Sequence, residues 1–122
     1  MKIRIQGNSI RYRLKEPEVR RFSETGLIEE TMQLGGGAAL RFRLELGPGA
    51  EVSVEHRVNT VTVRVPQALG QEWTGTERVG FDAEVGLDAD ARLKVLVEKD
   101  WACLDGSEEE NIGSYPNPMT EC

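Results

Sequence analysis

Residues 8–14 read N-S-I-R-Y-R-L and residues 59–65 read N-T-V-T-V-R-V, and each stretch leads into a proline-bearing segment with helical spacing. In both, every second residue is apolar: Ile10, Tyr12 and Leu14 in the first, Val61, Val63 and Val65 in the second. Period-two alternation puts those side chains on one face of a strand, and Arg11 and Arg13, or Thr62 and Arg64, on the other. The step from Asn8 to Asn59, 51 residues, also matches Phe22 with Trp73, Ile28 with Val79, Gly35 with Gly86, Arg41 with Arg92 and Leu44 with Val95. Strand phases, helix anchors and turn glycines coincide under one shift, which marks an internal repeat.

Each copy reads as strand, strand, helix, strand, strand. Residues 2–5 and 9–14 alternate around Gln6-Gly7-Asn8, the chemistry of a tight hairpin turn. Glu16-Pro17-Glu18 opens a helix, because proline in the first turn forfeits no intrahelical bond and acids suit the positive end of the helix dipole. Val19 and Phe22 face inward from it, and Gly26 stops it. Strands at 27–34 and 39–46 follow around Gly35-Gly36-Gly37, a flexible turn that lacks the lysine and the helix of a phosphate-binding loop. Past Gly47-Pro48-Gly49, the second copy predicts strands at 51–57 and 59–65, a helix opened by Pro66 with Leu69 and Trp73 inward, and strands at 78–85 and 91–97.

The expected class is α+β, mostly antiparallel β, with about eight strands and two short helices. Two such units are expected to close a pseudo-twofold barrel or barrel-like sheet, which leaves no strand edge exposed. Residues 1–122 form one domain: pseudo-repeat 1 over about 2–47, pseudo-repeat 2 over about 53–98, and an acidic C-terminal tail over 99–122 that Trp101 and Tyr115 anchor.

A chain of 122 residues can bury one core without cross-links. No apolar run reaches the ~20 residues of a membrane span, and residues 1–13 lack the continuous apolar stretch of a secretory signal. The cytoplasm is the expected compartment, where Cys103 and Cys122 are expected as free thiols, with a pair between them the alternative if the fold brings them together. A net charge of −6 argues against nucleic acid as a partner. Charge is nonetheless uneven: residues 1–65 hold 11 Lys and Arg against 8 Asp and Glu, whereas residues 66–122 hold 4 against 13. Such polarity can guide a charged ligand to one face.

K-I-R-I-Q-G-N-S-I-R-Y-R-L at residues 2–14, together with V-E-K-D-W-A-C-L at 97–104 and P-N-P at 116–118, resembles a family of small uncharacterised bacterial proteins, a domain of unknown function. The resemblance spans most of the chain. It implies that the tail belongs to the domain, and it carries no activity, cofactor or site residue.

Three constellations are candidates for function. Arg4, Arg11, Arg13, Arg41, Arg43, Arg64 and Arg92, with Lys2 and Lys94, share the outward phase and are expected on neighbouring strands of one sheet face. Guanidinium groups present planar forks to phosphate or carboxylate, so this set is the candidate surface for an anionic small molecule or a protein partner. The plainer reading is a solvated face where Glu29, Glu45, Glu55 and Glu98 pair with the arginines across strands. The second constellation is Cys103 with Asp100, Asp105, Cys122 and His56, whose imidazole and sulfur suit a metal although no C-x-x-C is present. Its plainer reading has structural cysteines and a partly buried, hydrogen-bonded His56. Cys103 as a nucleophile with His56 as its base is a further variant. The third is Trp73, Trp101 and Tyr115, with Trp73 assigned to the core as the counterpart of Phe22.

The leading expectation is a non-catalytic, cytoplasmic ligand- or protein-binding domain that uses the basic strand face and the docked C-terminal tail, without a cofactor. One alternative is a metal-dependent phosphate-ester or polyphosphate hydrolase, with arginines lining the barrel beside a carboxylate-held divalent metal. That arrangement loosely resembles the triphosphate-tunnel hydrolases, although E-V-S-V-E-H-R at 51–57 departs from their E-x-E-x-K pattern. It requires the arginines in an enclosed cavity with at least two carboxylates. The other alternative is a metal-binding protein that uses His56, Cys103 and Cys122.

Overall fold

Gly7, at φ 56°, turns β1 (Lys2–Gln6) back on β2 (Ser9–Leu14), and Val58 and Asn59, at φ 45° and 59°, turn β5 (Ser53–Arg57) back on β6 (Thr60–Pro66). These elements belong to a computed structural model that describes residues 1–101. After each hairpin comes a helix, α1 (Glu16–Thr25) or α2 (Gln67–Gly75), then a second hairpin: β3 (Leu27–Gly35) with β4 (Ala38–Gly47), and β7 (Gly80–Gly86) with β8 (Arg92–Lys99). The α1 end follows its sequence signals, since the Lys15 amide donates to Glu18 Oε1 at 3.0 Å and Gly26 caps the other end at φ 77°.

Val58 occupies the position that Gly7 holds in the first hairpin, with a β-branched side chain in a left-handed conformation. That conformation costs a non-glycine residue about 1–2 kcal/mol. Val58→Gly is therefore expected to raise stability by about 0.5–1 kcal/mol, after allowing for the greater entropy of glycine in the unfolded chain. Urea unfolding of the two proteins checks this, and a lower midpoint in the glycine variant would rule it out.

The two hairpins that flank each helix do not pair with each other. One sheet runs β1-β2-β8-β7 and the other β3-β4-β6-β5. At each centre the junction is parallel, Ser9 beside Lys94 through Leu14 beside Lys99, and Arg41 beside Thr60 through Gly47 beside Pro66. Corresponding bonds close the two junctions: the Asn8 carbonyl accepts the Lys94 amide and the Asn59 carbonyl accepts the Arg41 amide.

Two expectations change here. No ladder joins the two sheets among the described residues, so there are two open four-stranded sheets with edges β1, β7, β3 and β5 instead of a closed barrel. The helices account for this: Phe22 and Trp73, both fully buried, enter the core shared by the sheets and cover apolar faces that a barrel would turn upon itself. The 51-residue step does not describe the later hairpins. Register then pairs Leu27 with Glu45 but Gly80 with Glu98, so equivalence in the later hairpins runs Ile28 to Phe81, Arg41 to Lys94 and Leu44 to Val97. The extra chain lies at residues 76–79 between α2 and β7, where one residue, Gly26, joins α1 to β3.

The buried core residues are Ile10, Tyr12 and Leu14 from β2, Val19 and Phe22 from α1, Ile28 and Leu44 from β3 and β4, Val63 and Val65 from β6, Trp73 from α2, and Phe81, Val95 and Val97 from β7 and β8, with half-buried Ile3 of β1 and Val54 of β5 packed against them. Phe22 and Phe81 both meet Trp73 edge-on, with ring centroids 6.0 and 5.6 Å away. Each sheet thus turns one phase toward this core and the other outward, although Ala39 and Thr62 of the outward phase are buried.

Candidate functional site

Register defines the outward faces. Across the first sheet the rows run Lys2, Arg13, Glu98, Gly80, then Arg4, Arg11, Leu96, Asp82, then Gln6, Ser9, Lys94, Glu84. Across the second they run Leu27, Glu45, Arg64, Ser53, then Glu29, Arg43, Thr62, Glu55, then Thr31, Arg41, Thr60, Arg57. The seven candidate arginines are therefore split: Arg4, Arg11, Arg13 and Arg92 lie on the first sheet, Arg41, Arg43 and Arg64 on the second. The expectation of one shared basic face does not hold, because alternation assigns a side chain to a face but does not say which hairpin becomes its neighbour.

Carboxylates meet many of these cations. Glu98 Oε1 lies 3.2 Å from Arg11 Nε and 2.9 Å from Arg13 Nε, and Lys2 Nζ lies 3.1 Å from Asp100. On the second sheet Arg64 spans Glu45 at 3.2 Å and Glu55 at 2.7 Å, while Glu29 lies 3.3 Å from Arg43 and 4.0 Å from Arg41. Arg13 with Glu98 and Arg64 with Glu45 each face one another across a parallel junction, β2–β8 in one sheet and β4–β6 in the other. Glu29, Glu45, Glu55 and Glu98 are all cross-strand partners, as the plainer reading of the sequence has it. Exposed pairs of this kind contribute about 0–1 kcal/mol each, so they set surface charge more than stability.

The balance differs between the two faces. On the second sheet Glu29, Glu45 and Glu55 are interleaved with Arg41, Arg43 and Arg64. On the first, β1 and β2 present Lys2, Arg4, Arg11 and Arg13 side by side, and the nearby carboxylates are Glu98, near the end of β8, and Asp100, just past it. Asp82 and Glu84 stand on β7, at the far edge.

Hydrogen bonding by the Arg64 guanidinium holds the Glu55 carboxyl below its ordinary value, and Glu55 raises Arg64 in return. At Glu18 burial pushes the pKa up, but bonds from the Met1 ammonium and the Lys15 amide outweigh it and leave the carboxyl lowered. The same ammonium lies 2.6 Å from Glu30 Oε1. A carboxyl lowered in the folded state contributes stability above its unfolded pKa of about 4.3, and that contribution fades as pH falls through the folded value. The urea midpoint is accordingly expected to fall between pH 5 and 3, about the range set by that unfolded value, and Glu18→Gln/Glu55→Gln to flatten the fall. An equal slope in the double variant would show that other groups govern it.

Burial raises the Tyr12 phenol well above its ordinary value, and among the described residues its hydroxyl has no hydrogen-bond partner. It stays neutral at physiological pH.

The remaining candidates are dispersed. His56 is exposed instead of partly buried: it sits on edge strand β5, one row beyond the buried row of Ile28, Leu44 and Val63. Cys103, Cys122, Leu104 and Tyr115 lie outside the described residues. Trp101, expected as an anchor, is 59% exposed. No three His, Cys, Asp or Glu cluster to hold a metal ion among the described residues. A groove of about 640 Å³ runs between Pro48, Ala50 and Val52 on one side and Pro66, Ala68 and Leu69 on the other, with Glu72 as its one charged wall residue. The arginine set does not contribute to it. Among the described residues no helix is long and apolar enough to cross a membrane.

Fold and surface together define a small two-sheet α+β domain whose solvent faces carry arginine–carboxylate pairs, with an excess of cations along one edge. Residues 1–119 match a family model described as a family of unknown function, DUF7009, and the chain belongs to that family. No curated protein and no solved structure matches it.

Proposed function

We propose that this protein is a non-catalytic cytoplasmic binding domain whose β1–β2 face holds an extended acidic partner, such as a glutamate-rich stretch of another protein. The observation that carries this reading is the placement of Lys2, Arg4, Arg11 and Arg13 on two adjacent strands at a sheet edge, where Arg4 is exposed and Lys2 is 66% exposed. A flat strand face with cations two residues apart matches the spacing of carboxylates on an extended chain better than it encloses a small molecule. The hydrolase alternative needs its arginines gathered in one cavity, and their division between two open faces weighs against it. Anionic small molecules, and metal binding through His56, Cys103 and Cys122, remain secondary readings.

Titration with poly-L-glutamate at low salt tests the proposal. Lys2→Ala/Arg4→Ala is expected to weaken binding about fivefold, at up to about 1 kcal/mol per exposed charge pair lost. Arg41→Ala/Arg43→Ala on the other sheet should change it less than twofold, and added salt should weaken all of them. Equal losses from both double variants would reduce the effect to net charge and overturn the assignment to β1–β2.

A further inference from the structure

Among the described residues four strands form the outer edges of the two sheets, and three of them carry charge along their length: Lys2 and Arg4 on β1, Glu55 and Arg57 on β5, Asp82 and Glu84 on β7. The fourth, β3, differs. At nine residues it is the longest of these edges, and after Glu29 and Glu30 the hairpin it forms with β4 has no charged residue until Arg41. Charge on an edge strand discourages pairing with another chain, and a long edge without it is a template for a further strand.

The free side of β3 follows from its bonded side. The Leu46 amide donates to the Gly26 carbonyl opposite it, while the Arg41 amide turns the other way, to the Asn59 carbonyl beside β6. Bonded pairs alternate along an antiparallel ladder. Ile28, Glu30 and Met32 therefore aim their backbone groups at β4, and Glu29, Thr31 and Gln33 aim theirs outward, where no strand lies among the described residues. The apolar phase is open as well. β6 joins β4 only from Arg41 onward, so the end of the β3–β4 hairpin projects past it, and Met32 and Leu34, in the phase of buried Ile28, are 50% and 55% exposed.

We propose that β3 is the contact for a second copy of this chain, the two strands running antiparallel about a two-fold axis at Thr31. Charge selects both the occupant and the register. An axis at Glu29 or Glu30 would set that acid against itself, whereas at Thr31 it is Gln33 of the second copy that faces Glu29, and Met32 that faces Glu30. An axis at Met32 shortens the ladder, because Glu29 then meets the turn glycine Gly35. The order of β3, acidic before Thr31 and uncharged after it, fits its own reverse. Glu30 also keeps its charge matched, since the Met1 ammonium lies 2.6 Å from its Oε1. In this register the outward groups of Glu29, Thr31 and Gln33 meet their counterparts in about six hydrogen bonds. The projecting end of each hairpin lies along the body of the other, with Leu34 opposite Ile28. Pairing over 29–33 alone is a small contact beside the ~1,600 Å² of a standard interface, so the dimer forms reversibly, as concentration rises.

Sedimentation of the full chain over a dilution series is expected to give a mass that climbs from 13.6 kDa toward twice that value with concentration. Over the same series, hydrogen exchange at the Glu29, Thr31 and Gln33 amides should slow several-fold, while that at Ile28, Glu30 and Met32 changes little. Thr31→Lys, which sets two cations against each other at the axis, should keep the chain monomeric. Gln6→Lys, the same charge added to edge strand β1, should dimerise like the unaltered chain. A mass that stays at 13.6 kDa throughout overturns the proposal. So does a dimer that is indifferent to Thr31→Lys, or that forms without slower exchange at the three outward amides, since its contact is then elsewhere. Slow exchange at those amides in a monomer would mean that another part of the chain covers β3, and it overturns the second copy too. The exchange measurement needs no variant, so it decides even where Thr31→Lys folds poorly.

Discussion

Replacing Trp73 with alanine is expected to cost about 3–5 kcal/mol, the largest loss of any single substitution considered for this chain. Trp73 is fully buried, takes edge contacts from Phe22 and Phe81, and donates its indole N–H to the Val79 carbonyl at 3.1 Å. It thereby links α1, α2 and the approach to β7, and its removal leaves a cavity that all three border. At several degrees per kcal/mol for a domain of this size, the melting temperature should drop by roughly 10–20 °C. Trp73→Phe separates packing from hydrogen bonding. The Val79 carbonyl also accepts the Lys99 amide, so it keeps a partner, and the phenylalanine variant should lose only about 1–2 kcal/mol, mostly volume. Calorimetry or urea unfolding decides: a loss under about 1.5 kcal/mol for the alanine variant would show that the core does not depend on this ring.

Gly80→Ala should be the next most damaging change, at about 2–3 kcal/mol, for the opposite reason. A methyl group there would collide with the Val97 carbonyl oxygen and lie 2.9 Å from Glu98 Cβ and 3.0 Å from Glu98 Cα. Most of what it meets is backbone of the adjacent strand, so relief requires β7 to move away from β8. Gly86→Ala is the internal control: it lies at the other end of β7, its added methyl meets nothing within 4 Å, and its effect should stay within about 0.5 kcal/mol. If the two alanine variants melt together, close approach at Gly80 is not what excludes a side chain. The Gly80 variant should also disturb the β1–β2 face, because Glu98 faces Gly80 across the ladder while pairing with Arg11 and Arg13.

Much of this was legible from residue pattern. Alternation in residues 9–14 and 60–65 identifies Ile10, Tyr12, Leu14, Val63 and Val65 as inward, and they are buried. Gly26 as a helix stop, Trp73 as the counterpart of Phe22, and Glu29, Glu45, Glu55 and Glu98 as partners of arginines all follow from local chemistry. Pairing between distant segments is different in kind. The register of Ser9 with Lys94 depends on which hairpin finds an open edge, and nothing in the alternation of either strand distinguishes that neighbour from β3 or β5. The two extra residues before β7 escaped for a related reason: a slip of two preserves the strand phase, so Ile28 matches Val79 as readily as Phe81 by pattern alone. The division of the basic set follows from both.

The sheet orders also dictate a sequence of events during synthesis. All four strands of the second sheet come from residues 27–66, so it can assemble as soon as that stretch has left the ribosome. The β1–β2 hairpin must wait for residues 92–99 before β2 acquires its inner neighbour. Until then β2 is an edge strand, with apolar Ile10, Tyr12 and Leu14 still uncovered by the completed core. Charged groups on an edge strand discourage pairing with the wrong chain, and β2 carries Arg11 and Arg13. The β1–β2 hairpin thus precedes the second sheet along the chain but follows it in completion, and through that interval its arginines keep charge on an open edge.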